Sequence, residues 1–157
     1  MESCNIQIAE PGDAATVFAM VRELALHEGS LEAVTSSMTR WREMLDDDEV
    51  TVLIATLDGE PIGFVSSVRR LHLWSGEVIV VLDDLYVRPQ ARNAGVGEAL
   101  MRALAECSGD QVIRWEVDEH NVAGQRFYLR LGARLRRKVI AAWQPESTSR
   151  HPVCPTS

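Results

Sequence analysis

Hydrophobic residues recur at helical spacing in the first third of the chain. The apolar positions between residues 14 and 25 repeat every three or four residues, after the cap residue Asp13 and before Gly29. A shorter set of the same kind predicts a second helix over 38–45, followed by an acidic run that we interpret as solvated rather than metal-binding. A short strand is expected before both helices, over 5–9.

The middle of the chain is denser in apolar and β-branched residues, which is typical of strands. Residues 50–57 and 61–69 are two such runs, separated by Asp58-Gly59-Glu60, and an Asp-Gly pair in that place predicts a β-hairpin. The run 78–87 is the longest, and it is unbroken as far as Leu82. Such a run predicts a strand that is buried on both faces.

The last third of the chain alternates between helical and strand-like patterns. It predicts a helix over 95–107, a strand over 111–117, a helix over 121–131 and a final strand over 135–143. The whole order is then β-α-α-β-β-β-α-β-α-β, which is an α/β (α+β) arrangement around a mixed sheet. We expect one domain over 1–143, whereas residues 144–157, with three prolines, are expected to be a disordered tail.

Composition narrows the class of protein. The chain has 157 residues, of which 46% are hydrophobic, and a net charge of -7. This acidity argues against nucleic-acid binding and favours cationic partners. Cys4, Cys107 and Cys154 lack metal-type spacing, so we expect no metal and a reducing, cytoplasmic location. No apolar run is long enough to span a membrane.

A loop between the longest strand and the following helix has the features of a phosphate-binding turn. A strand runs into Pro89, then into the segment 92–97, whose Gly95 and Gly97 can adopt positive φ and let an anion approach the backbone. Two common nucleotide-binding motifs do not fit. Leu100 lies where a dinucleotide-binding turn needs its third glycine, and Gly97 is followed by Glu98 rather than by lysine.

Two motifs carry a resemblance to a known family. Arg92-Asn93-Ala94-Gly95-Val96-Gly97 resembles the Arg/Gln-x-x-Gly-x-Gly/Ala signature of the GNAT family of N-acetyltransferases. The segment 121–132 resembles that family's Asn-x-x-Ala-x-x-x-Tyr-x-x-x-Gly element, with Gly124 in place of the usual alanine. The resemblance covers residues 5–143 and implies a centrally splayed mixed sheet flanked by about four helices. Segments 22–28 and 82–87 are most similar to the diamine (spermidine/spermine) acetyltransferase branch.

The resemblance implies acetyl-coenzyme A as co-substrate, held by the strand before the loop, by the loop itself and by the second motif. The residues at the matching positions are Leu85, Tyr86, Val87, Arg92, Asn93, Ala94, Gly95, Val96, Gly97, Glu98, Asn121 and Tyr128.

The resemblance also implies catalytic roles. Tyr128 would return a proton to the leaving thiolate, and we favour this role over that of a core phenol on an amphipathic helix. Asp83 and Asp84 should face opposite sides of their strand. We expect Asp83 to face the acceptor amine and Asp84 to satisfy backbone groups near a strand distortion. His27 and Glu28, at the end of the first helix, are further candidates for binding the substrate.

The function implied is transfer of an acetyl group to a primary amine by direct attack in a ternary complex. A polyamine or a lysine-like small molecule is favoured as acceptor. Two alternatives remain, namely a protein or peptide acceptor and a non-catalytic acyl-coenzyme A-binding module. Many family members have two strands after the position of Gly132, and here only one is expected. Either the last strand is missing or a partner completes the edge, and we expect a homodimer.

Overall fold

The computed structural model describes residues 4–145. Within this range the strands are β1 (Asn5–Ile8), β2 (Val50–Leu57), β3 (Glu60–His72), β4 (Glu77–Val87) and β5 (Ile113–Arg114). The α-helices are α1 (Ala14–His27), α2 (Met38–Leu45), α3 (Val96–Ser108) and α4 (Val122–Arg130). The predicted helices and the first four predicted strands are therefore confirmed, with boundaries that differ by a few residues.

The strands form one mixed sheet in the order β1-β2-β3-β4-β5. Neighbours are antiparallel except β4 and β5, which are parallel. The predicted hairpin between β2 and β3 is confirmed, and its turn residues Asp58 and Gly59 have φ of 51° and 83°. Positive φ at both central residues is what a tight hairpin turn requires.

The sheet is covered on both faces. Val17 and Met20 of α1 pack with Phe64 and Tyr86 in one buried cluster. Residues on the opposite face of the sheet, such as Val65, are also buried, and α3 contacts that sheet through β2, β3 and β4. In β4 the adjacent residues 79 and 80 are both buried, so the predicted burial of this strand on two faces is confirmed.

The sheet opens between β4 and β5. Predicted over 111–117, β5 contains only Ile113 and Arg114, which pair with Val80 and Val81. No strand in the described range pairs with β4 after Val81 on the edge away from β3. The splayed sheet that the resemblance implies is therefore present, and β4 has one open edge over 82–87.

The prediction of a final strand over 135–143 is wrong. These residues have no regular secondary structure, and Val139 and Trp143 are 97% and 87% exposed. The apolar count suggested a strand, but three consecutive cations, 136–138, interrupt the run, and their charges favour solvent over a packed sheet. Of the predicted tail, residues 146–157 lie outside the described residues.

Contacts divide the chain into two compact units, Met1–Val117 and Asp118–Ser157. The first contains the whole sheet with α1, α2 and α3, and the second contains α4. The expectation of one domain over 1–143 stays a prediction. No helix within 4–145 is long and apolar enough to cross a membrane.

Candidate active site

The segment between β4 and α3 forms a turn with two left-handed residues. After a single 3₁₀ turn at Pro89–Ala91, Asn93 and Gly95 have φ of 62° and 81°, and α3 begins at the next residue. We call residues 92–97 the glycine loop. Gly97 lies in the first turn of α3 and does not adopt the positive φ that its residue type allows. Asn93 is the second left-handed residue instead, since asparagine tolerates this conformation better than most residues.

The glycine loop presents backbone groups rather than side chains at the start of α3. Gly95 is the N-cap residue, so no side chain accepts a hydrogen bond from the first N–H groups of the helix. A Cβ atom built at Gly95 would meet no atom within 4 Å. Arg92 is exposed beside it. Donor groups, open space and a cation together suit an anion such as a phosphate.

The open edge of β4 carries the backbone groups of Leu85 and Val87. The N–H of Arg88 donates to the carbonyl of Ile62 in β3 at 2.8 Å, so alternate residues turn their backbone groups toward β3 or away from it. Tyr86 therefore faces β3, and Leu85 and Val87 face the open edge. Arg92 Nε donates to the Val87 carbonyl at 2.9 Å.

An irregularity in the sheet lies where the two aspartates begin this open segment. Ser66 pairs with Asp84 and Ser67 pairs with Leu82, so Asp83 is an extra residue opposite the Ser66/Ser67 step. The regular alternation of side chains between the two faces of the strand is interrupted at this point. Alternation therefore no longer supports the prediction that Asp83 and Asp84 face opposite sides. The predicted strand distortion is present, and the N–H of Asp84 donates to Ser66 Oγ at 3.2 Å.

The two aspartates differ in burial and in electrostatics. Burial raises the pKa of Asp84, and repulsion from Asp83 and Glu28 raises that pKa further, against a smaller opposing effect of a hydrogen bond from Ser66. Burial of part of the Asp83 carboxyl also raises its pKa, although Asp83 as a residue is exposed. Burial alone opposes ionisation of Asp83, whereas burial and two neighbouring carboxylates oppose ionisation of Asp84.

The end of α1 approaches these aspartates. Glu28, the residue after α1, acts electrostatically on Asp84, so carboxylates from α1 and from β4 lie in one region. His27 lies exposed in the last turn of α1. The structure therefore brings together Glu28, Asp83 and Asp84.

The second unit contains the remaining predicted residues. Asn121 caps α4, its side chain accepting a hydrogen bond from the Gly124 N–H at 2.9 Å. A Cβ atom at Gly124 would lie 2.6 Å from Asn121 Nδ2, so an alanine there would require the Asn121 side chain to shift. Tyr128 packs edge-on against Phe127 at 5.1 Å, and burial raises the pKa of Tyr128.

The sequence analysis missed an ion pair at the end of β4. Arg88 donates to Glu23 of α1 through Nε at 2.9 Å and through a terminal nitrogen at 2.7 Å. The two residues are 65 positions apart, so no local spacing indicates the pair. We call residues 84–88 the anchored segment, because hydrogen bonds to β3 and α1 hold both of its ends.

A separate cavity of about 420 Å³ lies along the outer face of α1. Its lining is mostly apolar and includes Phe18, Leu26 and Met38, with Arg22 and Glu23 as its charged members. None of the residues predicted from the sequence to bind cofactor or substrate lines it.

Comparison with known proteins adds an independent finding. The model of the Acetyltransferase (GNAT) family matches residues 18–133. The chain is 29% identical over 124 residues to a thialysine N-epsilon-acetyltransferase of Caenorhabditis elegans, covering 77% of each chain. It is 30% identical over 147 residues to the enzyme of the same name from Sus scrofa, covering 85% of this chain and 86% of the relative.

Solved structures share the fold. An aminoglycoside N-acetyltransferase in complex with CoA superposes with a TM-score of 0.75 at 20% identity, over 92% of this chain and 96% of the other. At that identity the likeness shows a common fold. The region matched by the family model includes the glycine loop, the anchored segment and α4.

Proposed function

The chain belongs to the acetyltransferase (GNAT) family, and we propose that it transfers an acetyl group from acetyl-coenzyme A to a primary amine of a small molecule. One observation carries the proposal. A single stretch, 83–97, contains in order a pair of aspartates, an open strand edge and a loop suited to an anion. In that order they suit the acceptor amine, the extended arm of the co-substrate and its phosphates.

The glycine loop is proposed to hold the phosphates of the co-substrate. The N–H groups at the start of α3 and the positive end of its dipole favour a negative charge, and Arg92 adds a positive one. The same stretch of backbone contains the other residues proposed for this site, which are Asn93, Ala94, Val96, Gly97 and Glu98. Acetyl-coenzyme A, when bound, supplies the acetyl group as a thioester.

The open edge of β4 is proposed to bind the extended arm of the co-substrate as an added strand would bind. Leu85 and Val87 have backbone groups available on that edge, and this favours them over Tyr86. The hydrogen bond from Arg92 to the Val87 carbonyl would have to be exchanged for one from the ligand. Tyr86 contributes through its buried ring, which supports the strand from the α1 side.

The aspartates are proposed to prepare the amine. A lysine-like amine has a pKa near 10.4, so removing its proton at pH 7 costs roughly 4.6 kcal/mol. Asp84 is favoured as the proton acceptor because burial and two neighbouring carboxylates raise its pKa. Asp83 and Glu28 then bind the cationic part of the acceptor, and His27 stays a predicted contact.

Tyr128 is proposed as the general acid, on the strength of the family motif. A tyrosine phenol is protonated at neutral pH, as a proton donor must be, and burial raises the pKa of Tyr128. The phenol gives its proton to the sulfur that leaves when the new carbon–nitrogen bond has formed and the carbon–sulfur bond breaks. Asn121, which caps the same helix, is proposed to reach the co-substrate with its amide.

The relatives favour a lysine-like acceptor. Two of them act, by name, on the ε-nitrogen of thialysine, and each covers more than three quarters of this chain. A group of carboxylates at the acceptor end is compatible with a polyamine as well. Thialysine is therefore the first acceptor to test, and spermidine the second.

The test is an acceptor screen that measures free thiol released from acetyl-coenzyme A. Thialysine, spermidine, an aminoglycoside, free amino acids and a histone-tail peptide are compared side by side, with Tyr128→Phe as the matched variant. We expect release with a small amine and a strong decrease in the variant. Release with the peptide alone would establish a protein acceptor, and binding without any release would establish a non-catalytic module.

Assembly and location complete the proposal. We propose a homodimer, since strongly exposed apolar side chains such as Trp74, Val139 and Trp143 would gain by burial against a second copy. Sedimentation equilibrium tests the oligomeric state directly.

The location is proposed to be the cytoplasm. The exposed free cysteines Cys4 and Cys107 fit its reducing conditions, and Cys154 lies outside the described residues.

A further inference from the structure

One ion pair ties three elements together at the end of β4. Two nitrogens of Arg88 donate to the two carboxylate oxygens of Glu23, and the third donates to the carbonyl of Pro61 at 2.6 Å. The phenol of Tyr86 donates to the same carboxylate at 3.3 Å. All three guanidinium nitrogens of Arg88 therefore have protein acceptors, on α1 and at the start of β3.

This pair lies between the two regions proposed to hold the co-substrate. Val87, with its backbone groups on the open edge, is the preceding residue, and the glycine loop begins four residues later. The backbones of β4 and β3 also lie close together here. A Cβ atom built at Gly63 of β3 would lie 2.6 Å from the Tyr86 carbonyl oxygen. Any shift of Arg88 must therefore move the open edge and the start of the loop.

We infer that Glu23 and Arg88 are positioning residues for acetyl-coenzyme A, acting through β4 and the glycine loop without touching the ligand. The inference rests on the proposed function. Arg88 differs in this from Arg92, which is exposed and whose Nε donates to the backbone carbonyl of Val87. A bidentate, charge-assisted pair is strong and fixes direction as well as distance.

The burial of the pair supports this role. The Arg88 and Glu23 side chains are 23% and 38% exposed, so solvent screens them less than it screens a surface pair. Hydrogen bonding to Arg88 lowers the pKa of Glu23, and the same bond raises the pKa of Arg88. Both groups are held in their charged forms at neutral pH.

The experiment compares Glu23→Gln, Arg88→Lys and the double variant with the wild-type protein. For the single variants we expect the KM for acetyl-coenzyme A and the Kd for CoA, from calorimetry, to rise about tenfold. The kcat should stay within about twofold, because no reacting group is removed. The double variant should be no worse than the worse single variant, since the two residues act as one unit.

Amide hydrogen exchange gives a readout that needs no ligand. In the variants, exchange at residues 84, 88, 91 and 92, whose N–H groups have acceptors in the structure, should become faster, while the rest of the sheet keeps its protection. Arg88→Lys retains the charge and is the variant to use if Glu23→Gln fails to fold. Glu43→Gln is the control, because it breaks the exposed Arg40–Glu43 pair, at 2.8 Å on α2, and should change none of these quantities.

The outcomes separate this inference from the proposed function. If the wild-type protein does not bind CoA, both are refuted. If it binds CoA but the variants only melt at lower temperature, with KM, Kd and local exchange unchanged, the pair is structural and this inference alone is overturned. If the wild-type protein binds CoA without turnover, a rise in Kd still supports the positioning role while the proposed reaction fails.

Discussion

The anchored segment and the glycine loop are neighbours in the chain and opposite in construction. In the anchored segment, contacts with α1 and β3 hold the backbone, through the pair of Glu23 and Arg88 on one side and the close approach at Gly63 on the other. In the glycine loop, two residues have positive φ, and Gly95 faces open space. The first is fixed before a ligand arrives, and the second offers backbone donors to one.

The difference teaches how such a site combines precision with access. Backbone groups can bind an anion only where no side chain fills the space, and a loop of that kind supplies few contacts of its own. Its position must then come from a neighbour that is packed on several sides. The experiments below change one region or the other, so that stability and ligand binding should respond separately.

Asp84→Asn should give the largest effect, at the start of the anchored segment. We expect kcat/KM for the amine to fall about a hundredfold or more, because the proposed proton acceptor is lost. The protein should nevertheless melt at a higher temperature. Since the folded pKa of Asp84 is raised, its ionisation disfavours the folded state once the pH rises above the ordinary value of 3.8. Asparagine removes that charge.

The pH profile sharpens this prediction. In the wild-type protein, activity should rise with pH through the raised pKa of Asp84, and Asp83→Asn should lower that pKa by removing one repelling charge. The charged groups acting on Asp84 are Asp83 and Glu28, with Ser66 as its hydrogen-bond partner. Measuring kcat/KM from pH 4 to pH 9 in the wild-type protein and in Asp83→Asn compares this pKa between the two. If Asp83→Asn abolishes activity and Asp84→Asn does not, the roles of the two aspartates are reversed.

Gly63→Ala should damage the anchored segment itself. Its Cβ would lie 2.6 Å from the Tyr86 carbonyl oxygen, a backbone atom that cannot move alone. We expect a loss of about 1–3 kcal/mol in the free energy of unfolding, together with a higher KM for acetyl-coenzyme A. Denaturant unfolding measures the first quantity. Gly12→Ala is the control, since a Cβ there meets nothing within 4 Å and the stability should barely change.

These residues also mark where sequence reasoning succeeds and where it stops. Helical and strand periodicities predicted α1 to α4 and β1 to β4. The signal is strongest in α1, α3 and β2 to β4, which bury continuous apolar faces. The glycine loop was indicated by the spacing of residues within one short motif, which is also a local signal. The Glu23–Arg88 pair joins residues 65 positions apart, and no local pattern predicts it. A strand distortion near Asp84 was expected, but the register between β3 and β4 decides which residue is the extra one.

The final strand failed for a related reason. Apolar content over 135–143 is compatible with a strand, but a strand exists only where an edge accepts its hydrogen bonds. The cations at 136–138 also oppose burial on either face. Regular alternation likewise does not extend through Asp83, since a single inserted residue changes which face every later residue occupies.

Gly95→Ala tests the glycine loop while leaving the anchored segment intact. An alanine at φ of 81° is strained, and we expect a loss of about 1–2 kcal/mol in the free energy of unfolding. The Kd for CoA should rise as well, because the loop backbone moves to relieve the strain. Gly59→Ala is a matched control, with φ of 83° and open space around it. It should lose similar stability without any change in Kd, and an equal rise in Kd there would count against the loop.

Gly124→Ala should give the smallest effect on stability, in the second unit. Alanine gains about 1 kcal/mol of helix propensity. The new Cβ displaces the Asn121 side chain, which it would approach to 2.6 Å, and loss of that cap removes about 1 kcal/mol. We expect thermal unfolding within a few degrees of the wild-type protein. A large loss of stability would mean that the cap contributes more than caps usually do.

The most direct test of the central claim is a titration of the protein with CoA, followed by backbone amide chemical shifts in NMR spectra. The claim is that the open edge of β4 and the glycine loop bind the co-substrate together. The largest shifts should fall on residues 85, 87 and 93–98, and Glu23→Gln should weaken the binding without moving those shifts elsewhere. Shifts confined to the cavity along α1, around Phe18 and Leu26, would contradict it, as would the absence of any shift.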